Sequence, residues 1–236
     1  MNTAIKNHAI HGWVLNPSHT IKTFFAAIVF TLAFSACVGT SLLDWSPLDV
    51  TMGQEPVTDL IDLSSATTDW VHVYRDSDEV VQVFGKAGTN ILPSPILNGS
   101  GSWHSVNNFN NTNGGITYID GDGGALAGGS TLAVACDNPD FEIKVPASGN
   151  KQRLTLYVAG WNGGDPAVGS VSVYDEAGTM VKSIEFNSYD TPSPTRVIID
   201  FRTDRADENM IVRLTKISGM NMGMAAYTLQ NLRTKA

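Results

Sequence analysis

Arg153-Leu154-Thr155-Leu156-Tyr157-Val158 decides how this chain folds. Side chains alternate across an extended strand, so Leu154, Leu156 and Val158 share one face while Arg153, Thr155 and Tyr157 share the other. That alternation describes an antiparallel strand buried on one side. Further along, Val212 and Leu214 stand opposite Arg213 and Thr215 in the same way. Similar runs, rich in β-branched and aromatic residues, occupy 141–145, 169–174, 181–186, 196–201, 210–217 and 225–232. Asp175-Glu-Ala-Gly178 supplies the turn chemistry of a hairpin between two of them. Toward the amino terminus, 57–63, 69–74, 80–84 and 116–119 read as shorter strands separated by Ser, Thr and Asp. Behind the leader no window of a dozen residues carries a helical stripe. Strands at this spacing, joined by Gly-rich turns, predict an all-β chain folded as an antiparallel two-sheet sandwich of jelly-roll type.

The stretch 98–129 interrupts this rhythm with Gly, Asn and Ser around the short strand at 116–119. Long polar loops on a rigid sandwich are where binding residues gather, although such segments also serve as plain connectors. Trp70 and His72 lie two residues apart and therefore on one strand face. An indole offers a flat surface to a sugar, and an imidazole hydrogen-bonds hydroxyls; the alternative is that both belong to the core. Trp103-His104 and Trp161 are further candidate platforms for stacking, with core packing again the alternative. Asp120-Gly-Asp122-Gly-Gly places two carboxylates on a permissive backbone, and Asp137, Asn138 and Asp140 form a second oxygen-rich group. Together they are candidate ligands for Ca2+, with Asp120 also a candidate contact to the glycan. The motif lacks the later glutamate of an EF-hand, and Asp and Gly are ordinary turn formers. Lys86 is a candidate donor to a ligand oxygen or a solvated turn residue.

Residues 24–37, FFAAIVFTLAFSAC, form a short apolar segment behind Lys6 and Lys22 and end in small residues and a cysteine. This is the pattern of an export signal. A spanning helix needs about 20 apolar residues, more than this run supplies. Ser35-Ala36-Cys37 matches a bacterial lipobox apart from Phe34, so Cys37 is the expected lipidation site; secretory cleavage near Ser35 is the alternative. Multiple acylation would hold the domain on a membrane face. The expected organisation is a removed signal over 1–36, a tether over 37–56 and a sandwich domain over 57–236. Leu42, Leu43, Trp45 and Leu48 offer another use for part of the tether, as a first strand docked on the domain.

The chain carries 15 basic and 23 acidic residues. Both Lys6 and Lys22 leave with the signal, so the mature chain has a net charge of about −10. Such a surface lacks the clustered Lys and Arg that neutralise phosphates, which argues against nucleic acid and polyanionic substrates. It suits neutral sugars or divalent cations. Cys37 and Cys136 are the two cysteines; lipidation of the first leaves the second as a thiol, and its survival would permit a bridge. No GxSxG, HExxH, P-loop or CxxC motif occurs, so an enzyme is not expected.

Five stretches carry a resemblance: Asp62-Leu-Ser-Ser, Thr68-Asp-Trp-Val-His72, Gly85-Lys-Ala-Gly, Tyr118-Ile-Asp-Gly121 and Leu156-Tyr-Val-Ala-Gly-Trp161. In order and spacing they resemble a bacterial extracellular β-sandwich domain of large surface and polysaccharide-associated proteins. That family looks like galactose-binding-like or jelly-roll modules, and its members commonly carry a tryptophan where this chain has Tyr74 or Ile119. The resemblance implies a fold and an extracellular setting. The expectation is a lipid-anchored or secreted module of the cell envelope that binds a glycan or matrix component without catalysis. A structural subunit of the envelope is the alternative, and a polysaccharide-active enzyme a more distant one.

Overall fold

A computed structural model of the chain describes residues 48–64, 68–75, 81–98, 103–109, 115–122, 124, 126–129, 131–136, 140–161, 167–188, 195–205, 207–219 and 221–232. For 74–75, 81, 97–98, 103–109, 126–129, 131–136, 159–161, 188 and 221 the description is of the backbone. Every regular element in these residues is a strand. In chain order they are β1 (Leu48–Pro56), β2 (Ile61–Asp62), β3 (Asp69–Arg75), β4 (Val81–Gly85), β5 (Ile96–Asn98), β6 (Trp103–Phe109), β7 (Ile116–Tyr118) and β8 (Leu126–Gly129). The carboxyl half adds β9 (Thr131–Cys136), β10 (Asp140–Pro146), β11 (Gln152–Trp161), β12 (Ala167–Tyr174), β13 (Met180–Ser188), β14 (Thr195–Thr203), β15 (Asn209–Ser218) and β16 (Asn221–Asn231).

Two large antiparallel sheets stack as the alternation predicts. One has eight strands in the order β1-β14-β11-β16-β3-β9-β6, with β4 on the free side of β3; the other has five in the order β13-β12-β15-β10-β5. Leu154, Leu156 and Val158 of β11 enter the main core with Val197, Ile199 and Phe201 of β14 and Tyr227 and Leu229 of β16. From the smaller sheet come Phe141, Ile143 and Val145 of β10, Val171 and Val173 of β12, and Val212 and Leu214 of β15. Burying a large aliphatic or aromatic side chain contributes roughly 1.5–3 kcal/mol, so this interleaved set carries most of the drive to fold. The predicted hairpin at 175–178 joins β12 to β13. Asp175 Oδ1 accepts from the Thr179 amide at 2.7 Å, and Gly178 takes a φ of 83°, where a Cβ would be strained.

The structure corrects three expectations. The second half of the expected tether is strand β1, antiparallel to β14 from Leu48↔Thr203 to Pro56↔Thr195. Its Leu48 and Val50 bury themselves in the main core, which a solvated tether would not do. The first half of the tether, Cys37 and the export segment lie outside the described residues. The Gly/Asn-rich stretch contains the seven-residue strand β6 and the short strand β8 besides the expected β7. Finally, the sandwich has a third layer: β2, β7 and β8 form a small sheet in which β2 runs parallel to β7. Ile61, Leu63, Ile116 and Tyr118 of this region pack on Trp70, Tyr157, Ala225 and Ala226, on the outer side of the large sheet.

Candidate functional site

Trp70 and His72 share a face, as their spacing requires, but the face is covered. Trp70 is 0% exposed and His72 1% exposed. Tyr118 from β7 lies against both, its ring 4.4 Å from that of Trp70 and 5.7 Å from that of His72 between centroids. A stacking role for Trp70 is therefore corrected: an indole enclosed on all sides presents no face to a sugar. The same burial withdraws His72 from a ligand and lowers its pKa to about 4, because the charged imidazolium would lose its hydration.

Asp120 and Asp122 hold this layer in place. Asp120 Oδ1 accepts from the Trp70 indole N–H at 3.0 Å, and its Oδ2 lies 3.4 Å from Lys86 Nζ. Asp122 Oδ1 accepts from the Gly85 amide at 3.1 Å, while backbone bonds run from Ala87 to Asp120 and from Asp122 to Gly85. Gly121 is required between them, since a Cβ there would fall 2.6 Å from the Tyr118 ring and 2.8 Å from the Gly124 carbonyl oxygen. The Asp-Gly turn thus clasps the Gly85-Lys-Ala-Gly turn, and Lys86 serves as a partner of Asp120. Both Asp120 oxygens thus face hydrogen-bond donors within the fold. Asp140 lies elsewhere, at the start of β10, where its Oδ1 accepts from Thr215 Oγ1 at 3.3 Å. Asp137 lies outside the described residues. Among the described residues no three His, Cys, Asp or Glu side chains converge as a metal site would need.

Sequence reasoning did not single out Asp69, which is 2% exposed. Its carboxylate accepts from Thr89 Oγ1 at 2.6 Å and from the amides of Trp70, Ile91 and Leu92 at 2.9, 2.9 and 2.8 Å. One buried charge thereby fixes the path from β4 toward β5. The Tyr227 hydroxyl secures the same path by donating to the Pro93 carbonyl. Asp62-Leu, Asp69-Trp, Gly85-Lys, Tyr118-Ile-Asp-Gly and Tyr157 all meet at or beside this second cluster. Four of the five stretches behind the sequence resemblance therefore pack at the third layer, while the fifth contributes Tyr157 to it and Leu156 and Val158 to the main core.

Trp103 and Trp161 occupy a different place. Trp161 ends β11 and pairs with Asn221 at the start of β16; Trp103 begins β6 and pairs with Cys136, which pairs with Met222 of β16. Their backbones therefore stand at the same end of the large sheet. At this end the chain crosses repeatedly between the sheets: from β5 to β6, β9 to β10, β11 to β12, β13 to β14 and β15 to β16. Asp140 begins β10 at the same end, so the backbones of Trp103, Trp161 and Asp140 all stand at this rim, away from Trp70, His72, Asp120 and Asp122.

No family model matches the chain, and no curated protein does. Solved structures resemble it in outline. The TmCBM61 structure in complex with β-1,4-galactotriose is 14% identical over 59% of this chain and 89% of that one, with a TM-score of 0.38. The CBM22-1 xylan-binding domain from Paenibacillus barcinonensis is 9% identical over 60% and 87%, with a TM-score of 0.40. A family 35 carbohydrate binding module from Clostridium thermocellum is 12% identical over 59% and 100%, with a TM-score of 0.31. At such identities and TM-scores no residue role passes between the chains.

Proposed function

We propose that the chain is an exported module, held on the cell envelope through lipid on Cys37, that binds a glycan or matrix component at its crossover rim without catalysis. The observation that supports this reading is the gathering of Trp103, Trp161 and Asp140 at the end where the inter-sheet connections collect. Rim loops on a rigid sandwich are free to diversify without disturbing the core, and aromatic and carboxylate groups there suit the two faces of a sugar. The acidic balance of the chain favours a neutral glycan over a polyanionic one.

A glycan array on the mature chain, with and without EDTA, tests this reading. Binding to neutral glycans that falls at least about tenfold in Trp103→Ala or Trp161→Ala is expected, as lost stacking of about 1.4 kcal/mol or more would give. EDTA sensitivity would add a cation to the site. Mass spectrometry of the amino terminus should find acylated Cys37; an unmodified Cys37 would remove the anchor. A structural subunit of the envelope is the second reading, favoured by Ile119, which stands 80% exposed on the third layer with Leu60 also exposed. An array silent for every glycan would select it.

A further inference from the structure

The end of the sandwich opposite the rim is closed by connections bonded to one another. The Thr203 amide donates to the Ser148 carbonyl, the Ala147 amide to the Glu208 carbonyl, and Asn209 Nδ2 to Glu176 Oε1 at 3.1 Å. The connections 147–151, 175–179 and 204–208 are thereby knit into one base. Leu48 opens β1 at this base, opposite Thr203, and just beyond β16 the Leu232 amide donates to the Lys151 carbonyl. The chain therefore enters the fold and leaves it at the same end.

The place of Leu48 sets how far the fold stands from a lipid on Cys37. Because β1 takes the second half of the expected tether, only the ten residues 38–47 separate Cys37 from Leu48. A flexible chain of that length spans about 18 Å, and drawn out fully it reaches about 36 Å. The nine residues of β1 rise roughly 30 Å from the base toward the rim. The rim thus reaches the bilayer only with the tether almost fully extended, whereas the base reaches it with the tether relaxed. Charge points the same way. The crossovers at the rim, 99–102, 137–139, 162–166, 189–194 and 219–220, contain Asp137, Asp165 and Asp190 and no Lys or Arg. At the base Lys151 and Arg205 are exposed, and Arg233 and Lys235 follow directly on Leu232. Asp175 and Glu208 are buried there, which leaves Glu176, Asp204 and Asp207 as the exposed acids of these connections. Anionic headgroups attract basic side chains and repel carboxylates within a Debye length of about 8–10 Å, so they favour the end that holds the cations. Met180, 58% exposed where β13 leaves the base, adds an apolar side chain to this surface.

We propose that this base is the membrane-contact surface of the acylated chain: it lies on the headgroups of the bilayer that holds Cys37 and points the crossover rim away from the lipid. It rests on the preceding reading for the lipid on Cys37 and on the position of Leu48 for the face in contact. A glycan then reaches Trp103 and Trp161 from the solvent side.

The test uses the full acylated chain in vesicles of phosphatidylethanolamine and phosphatidylglycerol that carry a nitroxide quencher on the headgroup. In a Cys136→Ser background, a bimane label is attached at the base through Asn150→Cys or Ala177→Cys and toward the rim through Asn187→Cys or Ser218→Cys, all four positions being exposed. The base labels should lose most of their fluorescence and the rim labels should keep theirs. Hydrogen exchange on the unaltered acylated chain reads the same face without labels: the amides of 148–150 and 176–178 should slow on vesicles relative to the mature chain free in solution, and those of 187–188 and 218–219 should not. Quenching at the rim with the base labels bright, or equal quenching at both ends of a chain that mass spectrometry shows to be acylated, would overturn the surface and leave the anchor standing. A chain that carries no lipid on Cys37 and does not float with the vesicles would overturn the anchor and the surface together.

Discussion

The outer face of the large sheet is built in two ways along a single register. Where β16 and β3 run, Ala226 and Thr228 stand level with His72 and Trp70, and the small sheet closes over them with Tyr118. Where β1, β14 and β11 run, the row level with His72 holds Arg196 and Glu55, the row level with Trp70 holds Ile198 and Gly53, and the next row holds the Arg153–Asp200 pair; Glu55, Arg196 and Arg153 stay partly exposed. Small and aromatic residues make the covered half, which has lost its access to ligands in exchange for packing. Paired charges make the open half, in which Arg153, Arg196 and Glu55 stay partly exposed. The difference teaches that a tryptophan and a histidine on one strand face are no sign of a binding site until the opposing layer is known.

The largest effect that would break this contrast is expected at Trp70. Trp70→Ala should destabilise the fold by about 3–5 kcal/mol, through lost burial and the cavity it leaves under Tyr118. Urea unfolding reads this directly, and a loss below about 1 kcal/mol would mean that the third layer contributes little to stability. Next comes acid. His72 has a folded pKa depressed to about 4 against an ordinary value of 6.5, so the unfolded chain binds its proton first. Stability from this group is complete above about pH 6.5 and falls as the pH drops toward 4, by up to about 3 kcal/mol. His72→Leu should flatten that slope; an unchanged slope would place the acid sensitivity elsewhere. Asp200, held below its usual range first by its hydrogen bond to Arg153, acts in a lower window, losing its contribution as the pH falls through its folded pKa.

Asp69→Ala should follow at about 1–3 kcal/mol, since the Ile91 and Leu92 amides and the Thr89 hydroxyl lose their acceptor. Hydrogen exchange should quicken at residues 89–92 before it does in β11 or β14. Smallest is the open half. Arg153→Ala should cost no more than about 1 kcal/mol, as its guanidinium is partly exposed and its pair is screened. A loss as large as that at Trp70 would erase the contrast.

Much of the sandwich is legible because period two repeats along long strands: Leu154, Leu156 and Val158 announce their inner face unaided. β1 is harder, since Pro56 and Gly53 mimic a linker while Leu48, Val50 and half-buried Met52 carry its inner face. The third layer hides for a topological reason. The two-residue β2 pairs in parallel with β7, far along the chain, and no turn or spacing signals such a partnership. The candidate residues divide on the same ground. That Trp70 and His72 share a face is local and readable; that Tyr118 covers them depends on a long-range contact. Asp120 and Asp122 have the spacing of cation ligands, yet an indole N–H and a backbone amide reach them from other segments. Asp69 carried no signal beyond its place before a tryptophan. The alignment of Gly53 with Thr155 and Thr228 is invisible until the register is known.

The most direct test of the divided face is a backbone amide NMR titration of the mature chain with a neutral hexasaccharide. The account predicts saturable shifts at the rim strand ends, at Trp103, Trp161 and Asp140, with Trp70, His72 and Tyr118 unmoved. Shifts centred on Trp70 and His72, with the rim strand ends silent, would contradict it.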